Sequence, residues 1–244
     1  MTGDDDENSQ QPLLSNAFLF KLTAFIGILA ALTVAITVAA KIYGGQLAQD
    51  GHTTDDTTIH IAVGQDLLAI PANMIRFETQ RHDGQARAIN LYLSWPQMQG
   101  YAEDTAGLFT DPDGAQSLIF VEISQSVMSR DMSGRLEPIY SKLFKGAPEP
   151  GPAGLVKHRL NDRSGFADEV LLTGTDKSGS PYVVRCLLPA QAAAATSADC
   201  QRDIHIGRDL SLLYRFSSQN LPHWQDIDTR IRTFAAAHLR NETP

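Results

Sequence analysis

The sequence predicts an α+β protein in which one transmembrane helix is followed by a mainly antiparallel β-sheet domain with about two amphipathic helices. Three observations predict it: an uncharged apolar run near the N-terminus, several later segments in which apolar and polar residues alternate, and two segments with apolar residues at helical spacing. Of the 244 residues, 43% are hydrophobic and 20% are charged. These values are close to globular averages and exclude collagen-like and wholly disordered proteins.

The apolar run over residues 22–40 reads LTAFIGILAALTVAITVAA and carries no charge. As a helix it would be about 28 Å long, close to the roughly 30 Å of a bilayer's hydrocarbon core. We predict a signal-anchor helix over residues 17–43, preceded by an acidic cytosolic tail over residues 1–16. A cleaved signal peptide is the alternative, although its apolar core would be only about 7 to 15 residues long behind a basic segment.

The orientation in the membrane depends on the cysteines, because Lys21 and Lys41 flank the apolar run and cancel in the positive-inside comparison. Cys186 and Cys200 are the only cysteines, which predicts one disulfide and therefore an oxidising compartment. We expect an inner-membrane protein whose C-terminal domain lies in a bacterial periplasm. The opposite orientation, with the domain and two free thiols in the cytosol, stays open.

Residues 44–58, GGQLAQDGHTTDDTT, lack periodic apolar positions and predict a flexible stalk. Residues 59–244 then form the extracytoplasmic α+β domain. Strands are predicted in IHIAV, DLLAI, AINLYLSW and SLIFVEIS, and two hairpins in DEVLLTG with PYVVRCLL and in RDIHI with LSLLYRF. Helices are predicted over residues 132–144 and 222–239, the second with Pro222 in its first turn behind Asn220 as a capping residue.

Charge excludes one class of partner and indicates another. The formal net charge of -8 argues against a nucleic-acid binder, which needs a basic face. Between residues 128 and 163, however, seven basic residues stand against four acidic ones. We predict a partner surface there, composed of Arg130, Arg135, Lys142, Lys145, Lys157 and Arg159. The alternative is an ordinary solvated face.

No motif of a serine hydrolase, a nucleotide-binding loop or a zinc protease occurs, and neither a cofactor nor a metal site is predicted. Two groups have the residue types of a catalytic triad but fit chance co-occurrence, namely His158 with Asp162 and Ser164, and His205 with Asp203 and Ser211. One group has residue types that bind metals but lies in the predicted stalk, where nothing positions ligands, namely His52, Asp55, Asp56 and His60.

These observations predict a single-pass membrane protein that is not an enzyme. Its domain would act as an interaction or accessory module in an envelope or membrane complex, with the bilayer and another protein as partners; the sequence predicts no oligomeric state. Two alternatives remain. One is a hydrolase acting on an envelope substrate, and the other is a domain that binds a sugar or small ligand with the aromatic residues Tyr92, Trp95, Tyr101 and Tyr140.

Overall fold

The computed structural model describes residues 16–48, 51–111, 113–166, 168–191 and 194–240. The chain divides into two compact units, residues 1–50 and residues 51–244. The predicted acidic tail lies outside the described residues except for Asn16, and the predicted stalk spans the division between the units.

Helix α1, Asn16–Ala48, is the described part of the first unit. Its stretch Ala17–Val38 has a mean hydropathy of 2.2 and no buried residues, so its length and composition would allow it to cross a membrane as an anchor or a signal sequence. The hydroxyl of Thr33 donates a hydrogen bond to the carbonyl of Leu29 at 2.9 Å, and Thr23 and Thr37 bond in the same way. The hydrocarbon core of a bilayer offers no hydrogen-bond partner to a hydroxyl group, so these bonds to the helix backbone satisfy the threonine side chains.

The second unit is built on an eight-stranded antiparallel sheet in the order β4-β5-β11-β10-β9-β8-β7-β6. Its strands are β4 (Ala88–Ser94), β5 (Leu118–Gln125), β6 (Glu149–Pro150), β7 (Val156–Arg159), β8 (Val170–Thr175), β9 (Pro181–Cys186), β10 (Cys200–Ile206) and β11 (Leu210–Phe216). The predicted strands and both predicted hairpins are present. The fold class is confirmed, because two further helices, α2 (Ala106–Thr110) and α3 (Trp224–His238), accompany the sheet.

A smaller three-stranded sheet and helix α3 cover one face of the large sheet. The smaller sheet has the order β2-β1-β3 and consists of β1 (Thr58–Val63), β2 (Asp66–Pro71) and β3 (Gly84–Gln85). Ile61 of β1 and Ile227 and Ile231 of α3 belong to the same buried cluster as Ile204 and Leu212 of the large sheet. This cluster is the main core, and its side chains alternate with those on the sheet's other face.

The helix predicted over residues 132–144 is not an α-helix. The segment forms turns and ends in a 3-10 helix, Tyr140–Leu143. Its backbone bonds are mixed, because the carbonyl of Arg135 accepts from the amides of both Ile139 and Tyr140. Pro138 has no amide hydrogen to donate and Gly134 lowers helix propensity, so a regular ladder cannot form between them. Of the apolar residues whose spacing predicted this helix, Met132 is buried in a second cluster and Leu136 and Leu143 pack against it, whereas Ile139 is exposed.

Helix α3 is shorter than predicted and begins differently. A 3-10 helix, Ser218–His223, contains Pro222 and precedes α3. Ser217, not Asn220, caps this segment, because its hydroxyl accepts from the amide of Gln219. The Asn220 side chain instead donates to the carbonyl of Gln116 at 2.8 Å, which ties the helix entry to the loop before β5.

Candidate functional site

The face of the large sheet opposite the main core is covered at its two ends and open in the middle. At one end the ring of Tyr92 on β4 contacts His52 and Phe109, and Tyr101 stacks on His52. At the other end Met132 and Tyr140 pack in a buried cluster with residues of β8 and β9. Strands β5 and β11 lie between these covered ends, and the side chains of Phe120, Glu122, Leu213 and Arg215 on this face remain at least partly exposed.

A hollow of about 240 Å³ lies over this open part, and we call it the central groove. The side chains that define it are Arg76, Asn90, Phe120, Glu122, Leu213 and Arg215. Strand register brings five of them together from three strands, because Phe120 lies opposite both Tyr92 and Arg215, while Glu122 lies opposite both Asn90 and Leu213. Arg76 comes from a loop. Residues directly opposite in antiparallel strands share a face, so these two cross-strand rows form the floor of the groove.

Two arginines carry the positive charge of the central groove. The guanidinium of Arg76 lies 4.8 Å from the ring centre of Phe120 and 5.2 Å from that of Phe77. Arg215 stands beside Phe120 on the neighbouring strand. Within the described residues neither guanidinium forms an ion pair or donates a hydrogen bond. A guanidinium held over aromatic rings keeps its edge N–H groups available for a planar anion such as a carboxylate.

Of the predicted partner surface, four of the six basic residues are already paired. Arg135 forms an ion pair with Asp203, and Lys145 contacts Asp162 at 3.0 Å. Glu149 accepts from both Lys157 at 2.9 Å and Arg159 at 3.0 Å, and its pKa is lowered, chiefly by the hydrogen bond from Lys157. Arg130 and Lys142 are exposed and have no ion pair in the described part of the chain. The surface therefore stays a prediction with two uncompensated charges.

Cys186 and Cys200 form a disulfide. Both are fully buried and lie directly opposite each other on β9 and β10, with Cα atoms 4.1 Å apart. The neighbouring Asp199 carboxylate accepts hydrogen bonds from Thr196 and Ser218. The crosslink thus joins the two strands at the base of a loop whose end is also fixed by hydrogen bonds.

The structure does not assemble either set of triad residues within its described ranges. His158 lies against Thr173, with Nε2 3.0 Å from Oγ1, and its ring stacks on Phe144. Burial lowers the pKa of His158. Asp203, which would have to support His205, is instead paired with Arg135. The described residues, which include His52, Asp55, Asp56 and His60, contain no group of three His, Cys, Asp or Glu side chains that could hold a metal ion.

A different serine lies beside His205. The Ser126 hydroxyl oxygen is 3.1 Å from His205 Nε2 and 2.7 Å from the carbonyl of Met128, beside a hollow of about 220 Å³. A hydroxyl has one proton to donate, so when it bonds to the Met128 carbonyl, the imidazole N–H donates to the serine oxygen. In that arrangement the histidine cannot act as the base that activates the serine.

The aromatic residues considered as a sugar platform do not share a surface. Tyr92 and Tyr101 are buried beside the partly exposed His52, whose Nδ1 lies 2.9 Å from the Tyr92 hydroxyl oxygen. Tyr140 is buried in the second cluster, and Trp95 lies near His223. The three tyrosines therefore pack in the interior, and Trp95 packs against the main core.

Sequence reasoning missed the central groove, because its residues come from separate elements. One signal was present: in LIFVEIS the residues Phe120 and Glu122 alternate with buried Ile119, Val121 and Ile123, so they had to face away from the core. The position of Arg76 had no such signal, because it lies in a loop.

The sequence matches no protein-family model and no curated protein. Among solved structures, it is similar to the crystal structure of the Neisseria meningitidis iron-regulated outer membrane lipoprotein FrpD. The two are 11% identical over 76% of this chain and 95% of that one, with a TM-score of 0.41.

Proposed function

We propose that this chain is a membrane-anchored interaction module whose disulfide-containing domain binds another protein in a bacterial envelope and performs no catalysis of its own. The observation that carries the proposal is the central groove. Its floor places Phe120 and Leu213 beside two arginines that form no ion pair within the described residues, on a sheet face that is covered at both ends. Interfaces of this kind are enriched in aromatic residues and arginine.

Two features support a position in the envelope. Helix α1 contains the stretch Ala17–Val38, which would serve as the anchor in the inner membrane. The Cys186–Cys200 disulfide persists in oxidising compartments and would be reduced in most bacterial cytosols. Together they favour a periplasmic domain.

Copurification of the full chain from native membranes tests the proposal. Cells are treated with a cross-linker that does not cross the inner membrane, and the protein is isolated in mild detergent. The proposal expects the same partner in independent preparations, at near-stoichiometric amounts. If the cross-linker modifies the domain but the chain is repeatedly isolated without a partner, the proposal is contradicted.

The Ser126 and His205 contact favours one second candidate, a serine hydrolase acting on an envelope substrate. A fluorophosphonate probe reacts with serines that are activated as nucleophiles. We expect the probe to label the unmodified chain no more than the Ser126→Ala variant. The reason is that the Ser126 hydroxyl donates its proton to the Met128 carbonyl, at 2.7 Å, and not to His205. Labelling that is lost in Ser126→Ala would favour the enzyme.

A further inference from the structure

We infer that the central groove binds an acidic side chain of the partner protein, with its carboxylate held by Arg76 and Arg215 and the adjoining apolar part on Phe120 and Leu213. This inference rests on the proposed function and specifies the chemistry of the partner. Four features of the groove carry it: its charge, the fixed position of one arginine, its size and the position of Glu122.

The charge of the groove is the opposite of that of its surroundings. The tail's four acidic residues and the two lysines beside the apolar run account for minus two of the net charge of -8, so residues 42–244 carry -6. In this acidic region, basic residues such as Lys145 and Lys157 pair with carboxylates of the same chain. Arg76 and Arg215 do not within the described residues, which leaves their charge available to an external anion.

Arg76 is held in place before any ligand arrives. Its guanidinium lies over the rings of Phe77 and Phe120, at 5.2 and 4.8 Å from their centres. Its backbone is also fixed, because its amide donates to the carbonyl of Asn90 at 2.8 Å. An arginine already restrained in this way loses less side-chain entropy on binding, and its planar N–H fork matches a carboxylate.

The size of the groove favours a side chain over a larger ligand. Pockets for cofactors and drug-sized molecules occupy roughly 300 to 1,000 Å³, and the groove measures about 240 Å³. It has room for an anchoring side chain and its neighbour, which is the usual scale of a dominant contact in a protein interface.

Glu122 gives the groove a direction. It lies two residues from Phe120 along β5, which is about 7 Å in a strand. Its carboxylate would repel a second acidic group at that end, where Asn90 is its cross-strand neighbour. The bound segment should therefore place its acidic residue near the arginines and an uncharged or basic residue near Glu122.

The test uses the full chain in detergent micelles and a phage-displayed library of random peptides as the probe. We expect selected peptides to be enriched in Asp or Glu next to an apolar residue. In the double variant Arg76→Glu/Arg215→Glu, binding of a synthetic selected peptide should weaken by about tenfold or more. The matched control, Arg87→Glu/Arg163→Glu, reverses two exposed arginines outside the groove and should bind as the unmodified chain does.

Charge exchange provides the decisive arm. A selected peptide whose acidic residue is replaced by lysine should bind the reversed groove better than the unmodified one. Thermal unfolding checks that each variant is folded. If the double variant is not folded, the single variants Arg76→Gln and Arg215→Gln are used in its place. The inference is overturned if no peptide is selected, if selected peptides lack acidic residues, or if their binding is unaffected by the groove variants.

The outcome also separates this inference from the proposed function. If the peptide result is negative but the groove variants still copurify with the same native partner, the groove is not the binding site and the interaction module stands. If no partner is recovered with the unmodified chain either, both proposals fail.

Discussion

Removal of the buried carboxylate of Asp228 should destabilise the domain strongly. Asp228 Oδ1 accepts from Arg202 Nε at 3.0 Å and from the Tyr214 hydroxyl at 2.8 Å, while Oδ2 accepts from Arg232 at 2.9 Å. Arg202 is 1% exposed and Asp228 4%. Burial raises the pKa of Asp228, but the neighbouring Arg202 and its hydrogen bonds outweigh it, so the net pKa lies below the ordinary value and the pair is ionised at neutral pH.

The size of the effect follows from what Asp228→Ala leaves behind. The Arg202 guanidinium would keep its bonds to Ser133 and the Val183 carbonyl but would lose the only carboxylate that it contacts among the described residues. Removing one partner of a buried ion pair costs about 3 to 5 kcal/mol. For a domain of 150 to 250 residues this corresponds to a decrease in Tm of roughly 6 to 20 °C.

Thermal unfolding of the full chain in detergent at pH 7.5, followed by circular dichroism, measures this decrease. Arg232→Ala is the matched control, because the Arg232 side chain is 47% exposed and its loss should cost about 1 kcal/mol or less. The double substitution Arg202→Met/Asp228→Leu should recover most of the lost stability, because no unpaired charge remains buried. The reasoning is refuted if Asp228→Ala is no more destabilising than Arg232→Ala.

Three further predictions concern other parts of the domain. Replacing Cys186 and Cys200 together by alanine should lower the free energy of unfolding by about 3 kcal/mol, because the crosslink closes a 14-residue separation, and a denaturant titration that shows no loss would contradict this. Burial lowers the pKa of His158, so on acidification the unfolded chain takes up the proton before the folded chain does, and stability should fall as the pH drops below about 6.5. His158→Gln should reduce the difference in unfolding free energy between pH 7.5 and pH 5.5. An unchanged difference would count against this prediction. His52→Ala should cost about 1 to 3 kcal/mol through lost ring contacts and should speed amide hydrogen exchange near residue 52, whereas unchanged exchange would show that the ring does not hold this segment.

The strands could be predicted because their signal is local. In LSLLYRF, for example, Leu210, Leu212, Tyr214 and Phe216 are buried and alternate with more exposed residues, as expected for a sheet with one face on the core. The disulfide could also be predicted from the sequence, because two cysteines allow only one pairing within a chain.

The central groove could not be predicted, because it depends on register. Phe120 meets Arg215 only when β5 and β11 pair at one particular offset, and Arg76 arrives from a loop. The predicted helix over residues 132–144 failed for a related reason. Its apolar spacing was real, but Pro138 removed a backbone donor, and packing against β8 and β9 stabilised an irregular turn instead.

The location of the domain is the central claim, and thiol labelling of intact cells tests it most directly. A membrane-impermeant thiol reagent is added to cells that carry the variant Lys177→Cys, because the side chain at this position is 80% exposed whereas Cys186 and Cys200 are buried. We predict that position 177 is labelled without permeabilisation of the inner membrane, and that Cys186 and Cys200 are labelled only after denaturation and reduction, because the account places their disulfide in the periplasm. Labelling of position 177 only once the inner membrane is opened would place the domain in the cytosol and contradict the account.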